Sequence, residues 1–278
     1  MNDSISPFDP SLRLMVLATA FGFMGLEYLV GRLTGHDTHD WRESAASLGV
    51  AVVQNLVRVV EGVLVAVPFA FAYRHRLLDF DQTAPAALIA LFLATEFLYY
   101  WQHRASHRIR WMWATHSVHH SATRVNLTAA VRLGWTGNIS GNFLFFLPLS
   151  LIGFHPLAVV GMIGANLIYQ LFIHTELVTT LGPLEWVLNT PAHHRVHHAS
   201  NASCLDKNYG GVLIVLDRLF GTFARAPDKE PLRYGLVGGV PSYNPVQIAL
   251  GEWRRMFRDF AAASSLSRRI RTLFGPPV

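Results

Sequence analysis

Three tight groups of histidine constrain this chain more than any other feature. They read His103-Arg-Ala-Ser-His107, His116-Ser-Val-His119-His120 and His193-His194-Arg-Val-His197-His198. Together they hold nine of the fourteen histidines within 96 residues. On an α-helix, residues three and four apart share a face, so each spacing aims two or three imidazoles at one point. Neutral imidazole is the commonest metal ligand among side chains. Eight or more such ligands exceed what one tetrahedral zinc takes, and they suit two metal ions held close together.

The chain that carries them is 51% hydrophobic and only 15% charged, against about 25% charged for a soluble domain. The expected fold is therefore all-α: an integral membrane helical bundle of about four or five spans. A helical cap on the cytoplasmic side is expected to carry a histidine-ligated dinuclear metal site. The lone Cys204 excludes an internal disulfide and a multi-cysteine zinc site. A net charge of +5, from 21 Arg and 2 Lys against 18 acids, reads in such a chain as cytoplasmic-face charge. No nucleic-acid motif is visible, and no nucleic-acid partner is expected.

Along the chain, residues 1–11 are polar with two prolines and read as a loose tail, without the features of a cleavable signal peptide. Leu12 to Val30 is a first span, near the ~20 residues a bilayer needs. The loop 31–44 holds His36 and His39, taken as surface residues. Leu48 to Tyr73 is a second span, interrupted by Arg58 and Glu61, which are placed to pair on one helical face or to serve function. Ala84 to Tyr100 is a third and runs straight into the first histidine group. Glu96 falls on the face of His103 and His107, either supporting a ligand, lining a substrate entrance or serving as a satisfied interior carboxylate.

Residues 101–135 contain five arginines and no acid, with Trp101, Trp111, Trp113 and Trp135. That composition places the first two groups at the cytoplasmic membrane boundary. Residues 139–174 read as a hairpin with arms near 139–153 and 157–174. The hairpin leaves His155 on the far side and returns the chain to the metal site at His174, a candidate ligand. Pro191 opens a helix for the third group, where His193 and His194 are alternatives. Asp206 is a candidate acceptor for a histidine N–H. Residues 212–223 are apolar but too short to span, and 245–274 read as a basic amphipathic helix on an anionic membrane surface.

With these residues in view, the chain resembles the fatty acid hydroxylase / sterol desaturase superfamily of membrane non-haem di-iron enzymes, and within it the alkylglycerol monooxygenase-like branch. The likeness rests on Tyr99-Tyr-Trp-Gln-His-Arg104, Trp113-Ala-Thr-His-Ser-Val-His-His-Ser121, Asn189-Thr-Pro-Ala-His-His-Arg-Val-His-His198, Asp206-Lys-Asn-Tyr-Gly210 and Asp217-Arg-Leu-Phe-Gly-Thr222. It divides the chain into N-terminal transmembrane helices (1–83), a histidine-box domain (84–225) and a basic tail (226–278).

The resemblance implies two irons held by His103, His107, His116, His119, His120, His174, His194, His197 and His198, with His193 nearby. Glu96 and Asp206 are the candidate supporting carboxylates. It implies an O2-dependent oxidoreductase that hydroxylates or desaturates a C–H bond of a lipid such as a sterol, fatty acyl or alkylglycerol lipid. An external reductase, ferredoxin or cytochrome would supply electrons, since no flavin or NAD fingerprint is present. Arg-over-Lys composition points to a bacterial inner membrane, with the site on the cytoplasmic side. Three other classes compete: a zinc-dependent membrane hydrolase, which lacks its HExxH here, a histidine-rich metal transporter and a haem protein.

Overall fold

The computed structural model describes residues 10–277, so the tail expected over residues 1–11 falls largely outside the described residues. Eleven α-helices account for the regular structure: α1 (Pro10–Thr34), α2 (Trp41–Arg74), α3 (Pro85–Arg108), α4 (Arg110–His120), α5 (Leu127–Ala130), α6 (Leu147–Ile152), α7 (Pro156–Ile173), α8 (Pro191–His198), α9 (Val215–Leu219), α10 (Pro245–Ala262) and α11 (Leu266–Phe274). Among the described residues there is no strand, only isolated bridges at Leu188–Leu213 and Ala199–Tyr234. The all-helical reading holds.

Helix starts follow local chemistry. The Asp40 carboxylate accepts from the N–H groups of Arg42 and Glu43 at 2.8 and 3.1 Å and opens α2. Proline occupies the first turn of α3, α7, α8 and α10, where its missing N–H costs nothing.

Three helices are long and apolar enough to cross a membrane: α1 from Leu14, α2 and α7. Only 17%, 17% and 22% of their apolar windows is buried inside the protein, so their outer faces require an apolar medium. On α2 that face exposes Val52, Leu56, Val59, Val63 and Val67. α3 is not among the three, because Gln102, His103, Arg104, His107 and Arg108 fill its last turns. The first arm of the expected hairpin is not one helix either. It is a 3₁₀ turn at Asn142–Phe145 followed by six-residue α6, buried through Phe146 and Leu149 against Phe69, Leu91, Tyr99 and Val159. Gly153 ends it at φ 144°, with Leu78 O where a Cβ would stand; only glycine fits there.

The helices share a polarity. Leu77 and Leu78 donate to Leu151 O and Ile152 O at 2.8 and 3.0 Å, fixing one end of the bundle. The histidine groups collect at the other, at the C-terminal ends of α3 and α7 and on α4 and α8. Residues rise 1.5 Å each along a helix, which makes 34-residue α2 about 50 Å long, beyond a hydrocarbon layer of about 30 Å. Its first turns pack at the histidine end, where Ala46 and Val50 meet Val118, Ile248 and Trp135.

That end is clamped by ion pairs and caps. Glu43 accepts from Thr123 N at 2.5 Å, Thr123 Oγ1 at 2.7 Å and Arg132 Nη1 at 3.2 Å. Glu27 accepts from Leu127 N at 2.8 Å, and Asn126 Nδ2 donates to Thr38 O at 2.7 Å. The N-terminal helices thus grip the loop that follows the second histidine group.

Two expectations are corrected here. His39 is not a surface residue: its side chain is 7% exposed, 3.6 Å from Glu27 and edge-on to Tyr28. Arg58 and Glu61 form no ion pair; Glu61 takes Asn138 Nδ2 at 3.0 Å instead. Of the five arginines in 101–135, two are spent in buried pairs, Arg132 with Glu43 and Arg110 with Glu252 and Asp259 at 2.9 and 2.7 Å. The free positive charge of that segment is therefore smaller than its count. The C-terminal stretch is two helices rather than one, and α10 packs Trp253 and Met256 on Ala114 of α4.

Removing one partner of a buried ion pair strands the other charge, at a cost of about 3–5 kcal/mol. Glu43→Ala is expected to lower stability by that order, read as thermal unfolding in detergent. A midpoint unchanged from the parent protein would show that the clamp carries no stability.

Candidate metal centre

The helical period sorts nine histidines into two adjoining groups. His103, His107, His116, His120 and His197 form one; His119, His174, His194 and His198 form the other. In each group one ligand atom per residue lies within 4.8 Å of all the others. His116 and His120, four apart on α4, face the first group while His119 between them turns to the second. On α8 the division is reversed: His194 and His198 face the second group and His197 the first. The spacing HxxHH therefore reaches two points rather than one. The groups touch, with the His120 and His198 rings stacked at 4.5 Å.

His174 joins the second group from the end of α7. His193 belongs to neither; its ring lies against Phe223 at 5.2 Å. His155 is remote, exposed at the start of α7, where its Nδ1 accepts from Leu157 N at 3.2 Å.

Hydrogen bonds on the outward nitrogens set the tautomers. His103 Nδ1 lies 2.8 Å from Tyr209 O, His197 Nδ1 2.8 Å from Lys207 O and His174 Nδ1 2.5 Å from Gln170 O. A carbonyl only accepts, so each Nδ1 carries the proton and each Nε2 presents a lone pair inward. Inside, Nε2 atoms face one another at 3.0 Å (His103–His116), 3.0 Å (His119–His174) and 2.9 Å (His174–His194). His107 Nε2 and His197 Nε2 are buried with no hydrogen-bond partner.

Lone pairs crowded this closely repel unless a cation sits between them. Nitrogens bound to one ion at about 2.0–2.1 Å stand roughly 3–4 Å apart, a separation that the nitrogens of each group, all within 4.8 Å of one another, can supply. The residues fit two imidazole-bound metal ions.

Burial lowers the proton affinity of all nine. His103, His116, His119, His120, His194, His197 and His198 are held well below the ordinary histidine value, by desolvation first and by neighbouring histidines second. Burial pushes His174 down to about 4. His107 is also lowered by burial, partly offset by Asp206.

The loop 206–211 is the main support. Asp206 and Asn208 adopt left-handed backbone, at φ 59° and 55°, turning the Lys207 and Tyr209 carbonyls toward His197 and His103. Asp206 Oδ1 lies 3.7 Å from His107 Nδ1, and Oδ2 accepts from Arg108 at 2.8 Å.

Glu96 contacts no histidine. Its carboxylate accepts from Val212 N, Leu213 N and Asn166 Nδ2 at 2.9, 2.8 and 2.5 Å. Asn166 in turn accepts from Gln170 Nε2 at 2.5 Å, and Gln170 Oε1 accepts from Tyr99 OH at 2.9 Å. Glu96 thus braces α7 and the stretch after the loop rather than a ligand directly.

Sequence reasoning passed over Asn166 and Gln170, and gave Asp217 only as part of a motif, without a role. The first two carry a signal: they stand four apart in an otherwise apolar helix, in register with His174. Asp217, wholly buried, accepts from Tyr209 N, Gly210 N and Thr222 Oγ1 at 2.8, 2.7 and 2.6 Å. It locks the loop that orients His103.

The fatty acid hydroxylase family model matches residues 88–222, which contain both groups. Alkylglycerol monooxygenase of Xenopus tropicalis is 38% identical over 236 residues, 84% of this chain and 52% of that protein. The Danio rerio alkylglycerol monooxygenase is 40% identical over 186 residues, 67% and 41% respectively. Ornithine lipid hydroxylase OlsE of Rhizobium tropici is 32% identical over 171 residues, 61% and 51%. The chain spans about half the length of these curated relatives. No solved structure matches it.

Two outcomes are expected. In metal-free protein the depressed histidines stay neutral while an unfolded chain takes up protons below 6.5. Their contribution is therefore complete above that value and is lost as pH falls through and below it. Thermal unfolding of chelator-stripped protein between about pH 8 and pH 5 reads this; a flat profile would contradict the neutral cage. Asp217→Ala should weaken metal affinity about 10- to 100-fold by freeing the loop that holds the imidazoles, with helix content by circular dichroism unchanged.

Proposed function

We propose, starting from the membership of this chain in the fatty acid hydroxylase family, that it is a membrane-bound di-iron oxygenase. It uses O2 to hydroxylate or desaturate a C–H bond of a lipid. The observation that carries this reading is the pair of adjoining, all-imidazole groups at one end of an apolar helical bundle. Imidazole suits iron, and carboxylate-poor, thiol-free surroundings disfavour magnesium, calcium and iron–sulfur centres.

Two irons, when bound, supply the redox chemistry that activates O2 toward an unactivated C–H bond. The first would be held by His103, His107, His116, His120 and His197, the second by His119, His174, His194 and His198. The chain's own residues do the rest. The carbonyls of Gln170, Lys207 and Tyr209 keep the proton on the outer nitrogens of His174, His197 and His103. Burial keeps every imidazole neutral and available. The surrounding helices α3, α4, α7 and α8 exclude water from the donor atoms.

The relatives act, by name, on alkylglycerols and ornithine lipids. A lipid of that kind, a membrane-anchored molecule with a polar head, is the substrate class proposed here. Hydroxylation consumes O2 and two electrons beyond those of the C–H bond, so an external reductant is required. The site lies on the cytoplasmic side of a bacterial inner membrane in this reading, with Arg104, Arg108 and the arginines of α10 and α11 facing the cytoplasm.

Iron and zinc per chain, measured on protein purified in mild detergent, test the proposal. Near two irons, with O2 consumption stimulated by lipid and reductant, is the expected result. His119→Ala and His197→Ala should each abolish turnover and reduce bound iron from one side of the pair while membrane insertion persists. Full turnover in either variant would overturn the ligand assignment.

A further inference from the structure

Two cavities lie side by side beyond the histidine groups. One, of about 260 Å³, reaches His107, His120, His197 and His198 and is walled by Trp113 and Asp206. The other, of about 270 Å³, lies behind α4. They share Gly235, Leu236, Glu252 and Arg255 in their linings, so they adjoin along these residues and together make a groove that the metal site borders at one end.

The far end is built for an anion. Arg132 lines it, is 1% exposed, and leaves Nε without a partner although Nη1 pairs with Glu43. Arg254 and Arg255 line the same cavity. The one acid in that lining, Glu252, is already held by Arg110 Nε at 2.9 Å and Arg255 Nε at 3.0 Å. Arg254 has no ion-pair partner among the described residues. A buried guanidinium N–H without an acceptor is costly, and guanidinium is the group that best matches phosphate or carboxylate oxygens.

The histidine end of the groove borders an exposed amphipathic helix. Pro276 and Pro277 line that end, directly after α11. That helix exposes Leu266, Ile270 and Phe274 together with Arg268, Arg269 and Arg271. An exposed helix of this composition rests on an anionic bilayer surface. The adjoining groove is therefore open to a headgroup drawn from that surface.

We infer that this groove seats the anionic headgroup of a lipid, a phosphate or carboxylate held by Arg132, Arg254 and Arg255, and leads the attached chain to the histidine groups. The inference deepens the lipid-oxygenase reading and rests on it.

The test is calorimetric binding to the full-length, metal-loaded protein in detergent, which needs no turnover. The probes are soluble dihexanoylphosphatidic acid, neutral dihexanoylglycerol and inorganic phosphate. The acid lipid is expected to bind at least about tenfold more tightly than the neutral one, and exposed Arg254→Gln to cost about tenfold, as a charge-assisted contact does. Arg132→Lys, which keeps the charge opposite Glu43, should weaken binding as well. The α11 double variant Arg268→Gln/Arg269→Gln should leave binding of the soluble lipid unchanged.

Equal affinity for the neutral lipid, or indifference to both Arg254→Gln and Arg132→Lys, would overturn the site. Inorganic phosphate binding as tightly as the acid lipid would also overturn it, in favour of a soluble phosphate ligand. Iron content of the same preparations is read separately, so failure of the oxygenase reading shows as missing iron and failure of the groove as missing anion selectivity.

Discussion

Nine neutral imidazoles packed together, eight of them buried, without a charge among them are the constraint on which the rest depends. Each costs desolvation, and the inward nitrogens of His103, His116, His119, His174 and His194 face one another at about hydrogen-bond distance. Such a core holds only if the surrounding chain fixes every ring. Hence the outer nitrogens of His103, His174 and His197 are tied to carbonyls, and the loop that carries two of those carbonyls is tied in turn through its N–H groups: Tyr209 and Gly210 to Asp217, and Val212 beyond it to Glu96. The support is layered because one layer cannot hold a ring that its neighbours repel.

The same logic explains why helices outside the histidine domain matter to it. α4 carries three of the ligands on only eleven residues, too few to hold its own position. It is braced by α3 before it and by α10 through Arg110–Glu252 and the Trp253 cluster, while Glu27 of α1, Thr38 between the helices and Glu43 of α2 hold the loop that follows it. The N- and C-terminal parts of the chain are, in packing, the walls of the site's far side.

Much of this was legible in the sequence. The three histidine spacings carry their own geometry, since a period of 3.6 residues puts positions four apart on one face. The division of each HxxHH between two points was less visible. It requires knowing that α4 and α8 pack with their seams between the two groups, a tertiary fact. His193 and His194 are equivalent by spacing and were separated only by where Pro191 starts α8. Arg58 and Glu61 suggested a pair because they stand three apart, yet Asn138 from the irregular arm reached Glu61 instead. Loop 206–211 was visible only as a turn, because carbonyl acceptors leave no residue-type signature.

The distribution of acids is the feature most telling for chemistry. Among the described residues no carboxylate oxygen lies closer to a ring nitrogen of the two groups than Asp206 to His107, at 3.7 Å. Asp206 is itself half-exposed and shared with Arg108. Glu96 and Asp217 are buried nearby, but each is saturated by three N–H or O–H donors and offers nothing inward. Cations held by imidazole alone keep their full charge, where a carboxylate would neutralise part of it. A low-dielectric pocket amplifies that charge toward anything negative that approaches. The arginines that line the neighbouring groove act in the same direction, although Glu43 and Glu252 offset part of the charge of Arg132 and Arg255; the two acids buried beside the histidines, Glu96 and Asp217, are turned to hold backbone N–H groups.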